Sequence, residues 1–380
     1  MLQCFRWLPQ IWFDRVASLW VRPQLSPTAK KRLGILRLGG LGDFVLFLPA
    51  LKAILHTYPE TEYQHYLVTD HNGAELAKLD NQFGQVAVIS IDGSRFIHNI
   101  VYRVRTLRMI RRFNFDLLID AALSRRIEGN DAIVRASGSM AVGFRPLPDQ
   151  ICERRLGDYY YNTLVDYVPY REHEILRYFR LIGRPQKPDE SLLPIIHLSQ
   201  PHRKADQFLV FPGAKFPQRR WPSERFAELA KFVHQRTGWT PVAAGTYTDG
   251  ESISKMIDAS PYIPWRILQN QSIHNLCEEI LLSRLVVTND SGPMHLSPAL
   301  KTMTVAIVPG AEFSAYPSYP VFHQYLRVVH QNDKSCFNCN WNCAFQANKK
   351  RAAYCLSNIS VNDVILWLDD FLGGTHSDFS

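Results

Sequence analysis

One stretch of the chain decides the fold: Arg284-Leu285-Val286-Val287-Thr288-Asn289-Asp290-Ser291-Gly292-Pro293-Met294-His295. It begins as a short apolar run of the kind that parallel sheets bury, and a helical pattern starts near Met294. A helix N-terminus at the carboxyl end of a parallel strand offers unpaired N–H groups and a positive dipole end, which favour an anion such as a diphosphate. The residues expected around that anion are Asp290, Ser291, Gly292 and His295. The same residue types also build an ordinary helix-capping turn, so both interpretations stand.

A second apolar run ends in a loop that also suits an anion. Residues Phe208 to Phe211 lead into Pro212-Gly213-Ala214-Lys215 and then into Arg219-Arg220-Trp221-Pro222. The basic side chains can neutralise phosphate charge, and arginine can grip two oxygens at once. The residues assigned to the phosphate side are Gly213, Ala214, Lys215 and Arg220, with Arg219 as a further cation. The alternative is a solvated basic loop.

Apolar runs and helical patterns alternate along the chain in the manner of βαβ units. This alternation predicts an α/β protein with two facing Rossmann-like doubly wound domains and an interdomain cleft. The predicted parts are an amphipathic segment at 1–30, a first Rossmann-like domain at 31–185, a linker at 186–207, a second Rossmann-like domain at 208–358 and a final segment at 359–380, whose helix is expected to pack back on the first domain.

Four motifs in this order resemble the lipopolysaccharide heptosyltransferases, the ADP-heptose-using inverting enzymes of glycosyltransferase family 9 and GT-B fold. They are Leu38-Gly39-Gly40-Leu41-Gly42-Asp43, Pro212-Gly213-Ala214, Arg220-Trp221-Pro222-Ser223-Glu224-Arg225-Phe226 and Asn289-Asp290-Ser291-Gly292-Pro293-Met294-His295-Leu296. The resemblance spans roughly residues 32 to 370, and the four motifs together are far more specific than any one alone. Two departures are Arg220, where many relatives have lysine, and the Ser297-Pro298 pair.

The resemblance implies a role for each motif. Asp43 occupies the position of the catalytic base, which takes a proton from the acceptor hydroxyl as it attacks the anomeric carbon. The helix N-terminus near Ser291, with His295 and a basic side chain, would stabilise the departing ADP without a metal ion at the reaction centre. Glu251 is a weaker candidate for a contact to the ribose. By its position alone, Asp43 is equally suited to be a helix cap.

The glycine-rich loop also invites comparison with a dinucleotide site. The fingerprint G-x-G-x-x-G, counted from Gly40, puts Val45 where the third glycine should be. That mismatch argues against an NAD-dependent oxidoreductase.

Acceptor binding is expected on the first domain. The residues assigned to it are Gly42, Ser124, Arg125 and Arg126, because the last three follow the strand Leu117 to Asp120 at the carboxyl edge where α/β folds bind ligands. The phosphorylated core of lipopolysaccharide would suit these arginines. A second group, Arg103, Arg105, Arg108, Arg111 and Arg112, is expected to form a solvated or lipid-facing helix surface.

Charge indicates an acidic partner. Lys and Arg number 43 against 35 Asp and Glu, for a formal net charge of +8. No nucleic-acid-binding signature is found, which leaves a phosphorylated small molecule or an anionic membrane surface. Near the N-terminus the apolar residues Phe5, Leu8, Trp12, Val16 and Leu19 recur at helical spacing beside Arg6, Arg15 and Arg22. This pattern predicts either a helix on the inner face of the cytoplasmic membrane or one packed on protein, in a chain otherwise expected to be cytoplasmic.

Four of the seven cysteines form the cluster Cys336-x₂-Cys339-x₃-Cys343-x₁₁-Cys355. Such spacing in an intracellular protein favours a structural zinc or iron site, and the alternatives are unligated thiols or a redox pair. Cys4, Cys152 and Cys277 look unrelated to this cluster.

The sequence therefore predicts an inverting transferase that moves heptose from ADP-heptose to a lipopolysaccharide-core hydroxyl and needs no cofactor for catalysis. Three alternatives remain open: another nucleotide sugar, a protein acceptor, or a catalytically silent protein that binds a nucleotide sugar.

Overall fold

In the computed structural model the chain divides into two compact units, one of residues 1–169 and 175–187 and the other of residues 170–174 and 188–380. The structure describes residues 4, 6–19, 21, 30–167, 171–184, 189–198, 203–331, 335–345, 348 and 350–373. Parts of the predicted N-terminal segment, linker and C-terminal segment, including Phe5 and Arg22, lie outside these residues.

The first unit contains a six-stranded parallel sheet. Its strands are β1 Lys31–Arg37, β2 Tyr63–Thr69, β3 Ala87–Ser90, β4 Leu117–Asp120, β5 Met140–Phe144 and β6 Thr163–Val165. Its helices are α1 Leu8–Leu19, α2 Leu41–Thr57, α3 His71–Leu79, α4 Gly93–His98, α5 Ile100–Phe113, α6 Asn130–Ser137 and most of α7 Glu174–Leu181. The spatial order β3-β2-β1-β4-β5-β6 reverses beside β1, so the loop that follows β1 lies at a topological switch point.

The second unit repeats this architecture. Its strands are β7 Gln207–Phe211, β8 Thr240–Gly245, β9 Arg266–Gln269, β10 Leu285–Asn289, β11 Thr304–Ile307 and β12 Leu326–Val329. Its helices are α8 Ser223–Thr237, α9 Gly250–Asp258, α10 Ile273–Leu282, α11 Gly292–Ala299, α12 Tyr354–Ser357 and α13 Val361–Gly373. The order β12-β11-β10-β7-β8-β9 reverses between β10 and β7, whose register pairs Thr288 with Phe211. The predicted doubly wound GT-B fold is confirmed.

Burial explains why the strands of the second unit form where they do. All five residues of β10 are buried, as expected of a central parallel strand covered by helices on both faces. Phe208, Val287 and Trp221 belong to one core with residues of α8. Trp221 also donates its indole N–H to the Ile359 carbonyl oxygen at 2.9 Å, which anchors the loop before α8.

The final helix packs within the second unit. Val361, Val364, Leu368 and Leu372 of α13 belong to the same core as Phe226 of α8. These contacts place α13 in the core of the second unit, and the expected packing of this helix on the first domain stays a prediction.

Helix α1 is fixed to the first unit by a buried charge. The Asp14 carboxylate accepts from Arg103 Nε at 2.7 Å, from Arg103 Nη2 at 2.6 Å and from Arg135 Nη2 at 2.6 Å. The sequence predicts that Arg103 lies on a solvated or lipid-facing arginine surface, but this residue is buried and pairs with α1. A disulfide between Cys4 and Cys152 joins the segment before α1 to the segment that follows β5. A sequence separation of 148 residues gives no local signal for that pairing.

The outer face of α1 remains uncovered. Leu8, Trp12 and Val16 expose 42%, 68% and 36% of their surface and recur every four residues along the helix. A search of the described ranges finds no helix long and apolar enough to cross a bilayer.

Candidate functional site

Asn289 joins the loops that follow β7 and β10. Its side-chain amide donates to the carbonyl oxygens of Pro212 at 2.9 Å and Gly213 at 3.3 Å. Its side-chain oxygen accepts from the Trp221 N–H at 2.9 Å. Both predicted anion loops and the Trp-Pro segment are thus held together by one buried side chain, which the sequence analysis quoted only as part of a motif.

Helix α11 begins two residues earlier than predicted. It starts at Gly292, with Ser291 as the preceding cap residue and Pro293 in its first turn. A proline in the first turn is tolerated because its missing N–H would have had no partner inside the helix. The amides of Ser291, Gly292 and Met294 lie around this N-terminus, although the Met294 N–H donates to the Ser291 carbonyl oxygen at 3.0 Å. The positive end of α11 therefore lies beside the loop held by Asn289.

Arg219 is the basic residue that contacts the β10 loop. Its Nη1 lies 3.2 Å from Asp290 Oδ2, and its Nη2 lies 2.6 Å from Glu312 Oε2. Arg220, which the prediction preferred, donates instead from Nε to the Ala214 carbonyl oxygen at 2.8 Å. Lys215 is exposed, with its ammonium 5.4 Å from the Phe216 ring centroid. Two neighbouring arginines cannot be ranked by spacing, because the turn of residues 217–219 decides which one points toward Asp290.

His295 is buried at the first turns of α11. Its Nδ1 lies 2.9 Å from the Tyr319 hydroxyl. Burial, with His173 and Arg219 nearby, lowers the pKa of His295 to about 3. Burial also raises the pKa of Tyr319 far above its usual range, so the hydroxyl keeps its proton. His295 is therefore neutral at physiological pH, and it can act on an anion only as a hydrogen-bond donor.

An acidic residue other than Glu251 borders the glycine of the β7 loop. A Cβ atom on Gly213 would meet the Asp249 side chain, and one on Gly245 would lie 3.0 Å from Asp249 Cβ. Glu251 is 74% exposed and pairs with Lys255 at 2.6 Å. Glu251 stays a prediction, whereas Asp249 is the carboxylate that packs against the loop after β7.

Asp43 lies in the first turn of α2, at the switch point of the first unit. Its Oδ2 accepts from the Gly40 N–H at 2.9 Å and lies 3.8 Å from Arg37 Nη2. The carboxylate is 42% exposed, whereas Arg37 is 6% exposed and lies over the Tyr178 ring. Asp43 therefore takes part in capping α2 and still presents its carboxylate to solvent.

Two of the three acceptor-side residues after β4 remain on the surface. Ser124 and Arg126 are exposed, and Gly42 lies in the first turn of α2. Arg125 is fully buried, with Nε 2.8 Å from Asp131 Oδ1 and Nη1 2.9 Å from Asp158 Oδ1. Both carboxylates bind the guanidinium inside the unit, and the predicted contact of Arg125 with an acceptor stays a prediction.

Asp120 is a buried carboxylate that the sequence did not single out. Tyr161 donates its hydroxyl to Asp120 Oδ2 at 2.7 Å, and the Ala122 N–H donates to Oδ1 at 3.0 Å. Burial raises the pKa of Asp120 to about 6, against the opposing effect of these hydrogen bonds. Its position at the end of β4, in register with Leu36 of β1, places it near the switch point.

The four clustered cysteines line one small cavity of about 30 Å³. All four are free thiols, and burial raises the pKa of Cys339 and Cys355, with neighbouring thiols adding to the effect. In the part of the chain that the structure describes, no three His, Cys, Asp or Glu side chains are arranged to hold a metal ion. The residues therefore do not form the predicted zinc or iron site as they stand.

Residues 158–340 match the model of glycosyltransferase family 9 (heptosyltransferase). Lipooligosaccharide heptosyltransferase 2 of Campylobacter jejuni is 28% identical over 169 residues, which cover 43% of this chain and half (50%) of that protein. The structure of E. coli ADP-heptose LPS heptosyltransferase II shares the fold, with a TM-score of 0.66 at 18% identity, over 90% of this chain and 98% of that one. The iron-containing glycosyltransferase TibC of enterotoxigenic E. coli also shares it, with a TM-score of 0.56 at 10% identity, over 94% and 82%. The family model thus matches one segment of the chain, and the two doubly wound units share the fold of the solved heptosyltransferase.

Proposed function

We propose that this protein transfers heptose from ADP-heptose to a hydroxyl of the lipopolysaccharide core, with inversion at the anomeric carbon. The observation that carries the proposal is the convergence, through Asn289, of two glycine-bearing loops and a helix N-terminus at the switch point of the second unit. Ligands of α/β sheets bind at such points, and this one gathers N–H groups and cations suited to a diphosphate. The match of residues 158–340 to the glycosyltransferase family 9 model and the heptosyltransferase names of the relatives support the choice of sugar.

The donor diphosphate is bound by the N-terminus of α11 and by Arg219. The guanidinium is already held by Asp290 and Glu312, so its orientation is fixed before the ligand arrives. Exposed Lys215 adds a second, mobile cation. Asp249, packed against Gly213, is the candidate to accept from the ribose hydroxyls.

Departure of ADP develops negative charge, which His295 stabilises as a neutral donor. In the proposed tautomer the Tyr319 hydroxyl, which keeps its proton, donates to Nδ1, and the ring proton of His295 lies on Nε2. With an N–H, an arginine and a helix N-terminus available, the leaving group needs no divalent cation. Activity should therefore persist in excess EDTA, and loss of turnover that Mg²⁺ restores would refute this part of the proposal.

Asp43 acts as the general base. Its Oδ2 atom accepts from the Gly40 N–H and lies near Arg37. The other carboxylate oxygen, Oδ1, accepts the proton of the attacking hydroxyl. The hydroxyl oxygen forms the new bond to the anomeric carbon while the bond to the diphosphate breaks on the opposite face. The proton moves to Asp43, and the electron pair leaves with ADP.

Replacing Asp43 by Asn tests the base against the capping interpretation. We expect turnover to fall by about 100-fold or more, as for loss of a general base, with ADP affinity unchanged. The matched control is Asp92→Asn, because Asp92 also caps a helix of the first unit by accepting from the Arg95 N–H. If both variants lose the same small amount of activity, Asp43 is only a cap.

The donor is identified by calorimetry with ADP, UDP and GDP and then with their sugars. ADP-heptose should bind most tightly. Preference for a UDP-sugar would change the donor and keep the fold, and tight binding without turnover on any lipid or protein acceptor would indicate a silent binding protein.

We also propose that the outer face of α1 docks on an anionic membrane at the cytoplasmic side, where a lipid-linked acceptor would lie. Leu8, Trp12 and Val16 are exposed on one stripe, with exposed Arg15 beside them. Trp12→Ser should reduce cosedimentation with phosphatidylglycerol vesicles, whereas Phe322→Ser, which removes a 75% exposed ring from the second unit, should not. Equal binding of both variants would refute the docking face.

A further inference from the structure

The cysteine loop, residues 335–345, is bound to the segment that carries Glu312. The Asn338 N–H donates to the Gly310 carbonyl oxygen at 2.7 Å, and the Asn340 N–H donates to that of Ala311 at 2.8 Å. The Asn338 side chain also bonds Ser314 through two contacts of 2.9 Å, one to its backbone N–H and one to its hydroxyl. The loop is therefore part of the same local structure as the carboxylate that holds Arg219.

The loop backbone is held in an unusual conformation where it reaches Arg219. Asn338, Asn340 and Trp341 have φ angles of 60°, 48° and 64°. Asparagine tolerates this left-handed region, but a bulky residue such as tryptophan adopts it at an energetic cost. Such a conformation persists only where surrounding contacts impose it, which the Asn338 and Asn340 hydrogen bonds do.

The conformation delivers the Trp341 ring to a guanidinium. Arg219 lies over that ring, with 5.1 Å from its central carbon to the ring centroid. The same guanidinium contacts Asp290 on one nitrogen and Glu312 on the other. One face of the planar cation is thus covered by an aromatic ring, while its edge is held by two carboxylates.

We propose that Trp341 is a positioning residue for the donor diphosphate: its ring fixes the plane of the Arg219 guanidinium, and the cysteine loop is thereby a wall of the donor site. This inference rests on the proposed function, in which Arg219 binds the diphosphate. It gives the strained tryptophan a role, and it places the four-cysteine segment next to the donor, contrary to the expectation of a purely structural element.

The test measures ADP binding and kinetics in Trp341→Leu, which keeps an apolar side chain and removes the ring. We expect ADP affinity to fall roughly three- to tenfold, the range of a partly exposed cation–π contact, and KM for the sugar donor to rise equally. The value of kcat and the acceptor KM should stay within about twofold, because the ring contacts Arg219, whose hold on the diphosphate contributes to donor binding in the ground state and the transition state alike. Trp341→Phe should restore most of the affinity, since a phenyl ring can still cover the guanidinium.

Two controls separate positioning from general stability. Trp367→Leu removes a 49% exposed tryptophan from α13 and should leave ADP affinity unchanged. In an Arg219→Met background, Trp341→Leu should cost no further affinity, because the two residues act through one contact. Additive losses would show that the ring acts elsewhere and would overturn the inference.

The outcomes distinguish this inference from the proposed function. Failure of the wild-type protein to bind ADP would reject the donor, whereas wild-type binding that Trp341→Leu leaves intact rejects only the role of the ring. If Trp341→Leu does not fold, Trp341→Met and Trp341→Phe carry the same comparison, and equal ADP affinity in those two variants overturns the inference.

Discussion

Replacing Asp14 by asparagine removes the charge that fixes helix α1 to the first unit. Asp14 is 1% exposed and receives three hydrogen bonds of 2.6–2.7 Å from Arg103 and Arg135. Asparagine keeps the volume but leaves two buried guanidinium groups without a counter-charge. Removing one partner of a buried ion pair costs about 3–5 kcal/mol, so we expect a loss of roughly 4 kcal/mol in the stability of this unit.

The matched control is Asp166→Asn. Asp166 pairs with Arg145 at 2.7 Å, as close as the Asp14 contacts, but it is 78% exposed. Water already screens this pair, and exposed pairs contribute less than about 1 kcal/mol. The two variants therefore test burial at constant contact length.

Hydrogen exchange measured by mass spectrometry is the appropriate assay, because the chain has two units and need not unfold in one step. Peptides from residues 8–19 and 100–113 should lose most of their protection in Asp14→Asn and almost none in Asp166→Asn. If the two variants lose the same protection, the buried charge does not hold α1, and the reasoning fails.

Three further changes have defined outcomes. Cys4→Ser should destabilise the first unit by up to about 5 kcal/mol, the entropic limit for a closed loop of this size. Urea unfolding should show the same loss of stability for Cys152→Ser. No loss of stability in either variant would mean that the disulfide does not form in solution. The folded pKa of Asp120 is about 6, above its unfolded value, so Asp120 contributes stability at low pH that is lost as the pH rises through 6. The free energy of unfolding relative to Asp120→Asn should therefore increase by about 1 kcal/mol from pH 7 to 5. A difference between the two proteins that does not change with pH would contradict the burial of this carboxylate. Gly39→Ala places a Cβ atom 2.6 Å from Arg37 Nη1 and 3.1 Å from Asp43 Oδ2. Turnover should therefore fall by about tenfold or more without loss of ADP affinity. Gly93→Ala, whose Cβ atom would have no heavy atom within 4 Å, should leave turnover unchanged.

Much of the site follows from local pattern. The strand-loop-helix stretch around Asp290 and the glycine loop before Asp43 were predictable, because strand and helix periodicity and turn residues are written in neighbouring positions. The same local patterns do not reveal strands β5, β6, β9 and β12, which are short and lack a strong alternating pattern. The helical pattern of residues 96–113 does not show the break at Asn99, which ends α4 and caps α5.

Interactions between distant residues were beyond the sequence. Spacing suggested Arg125 as a ligand for the acceptor and Arg103 as a surface residue, yet both are buried with aspartates. A single arginine in the sequence carries the same signal whether it meets solvent, a ligand or a carboxylate, because its partner comes from another element.

The sequence by itself determined the two doubly wound units, the two anion loops and the position of Asp43, since each depends on residues within a few positions of one another. Only the tertiary structure decided that Arg219 rather than Arg220 meets Asp290, that Asn289 joins the loops after β7 and β10, and that Trp341 of the cysteine loop covers Arg219. These contacts join residues from separate elements, and packing of the folded chain fixes the directions of their side chains.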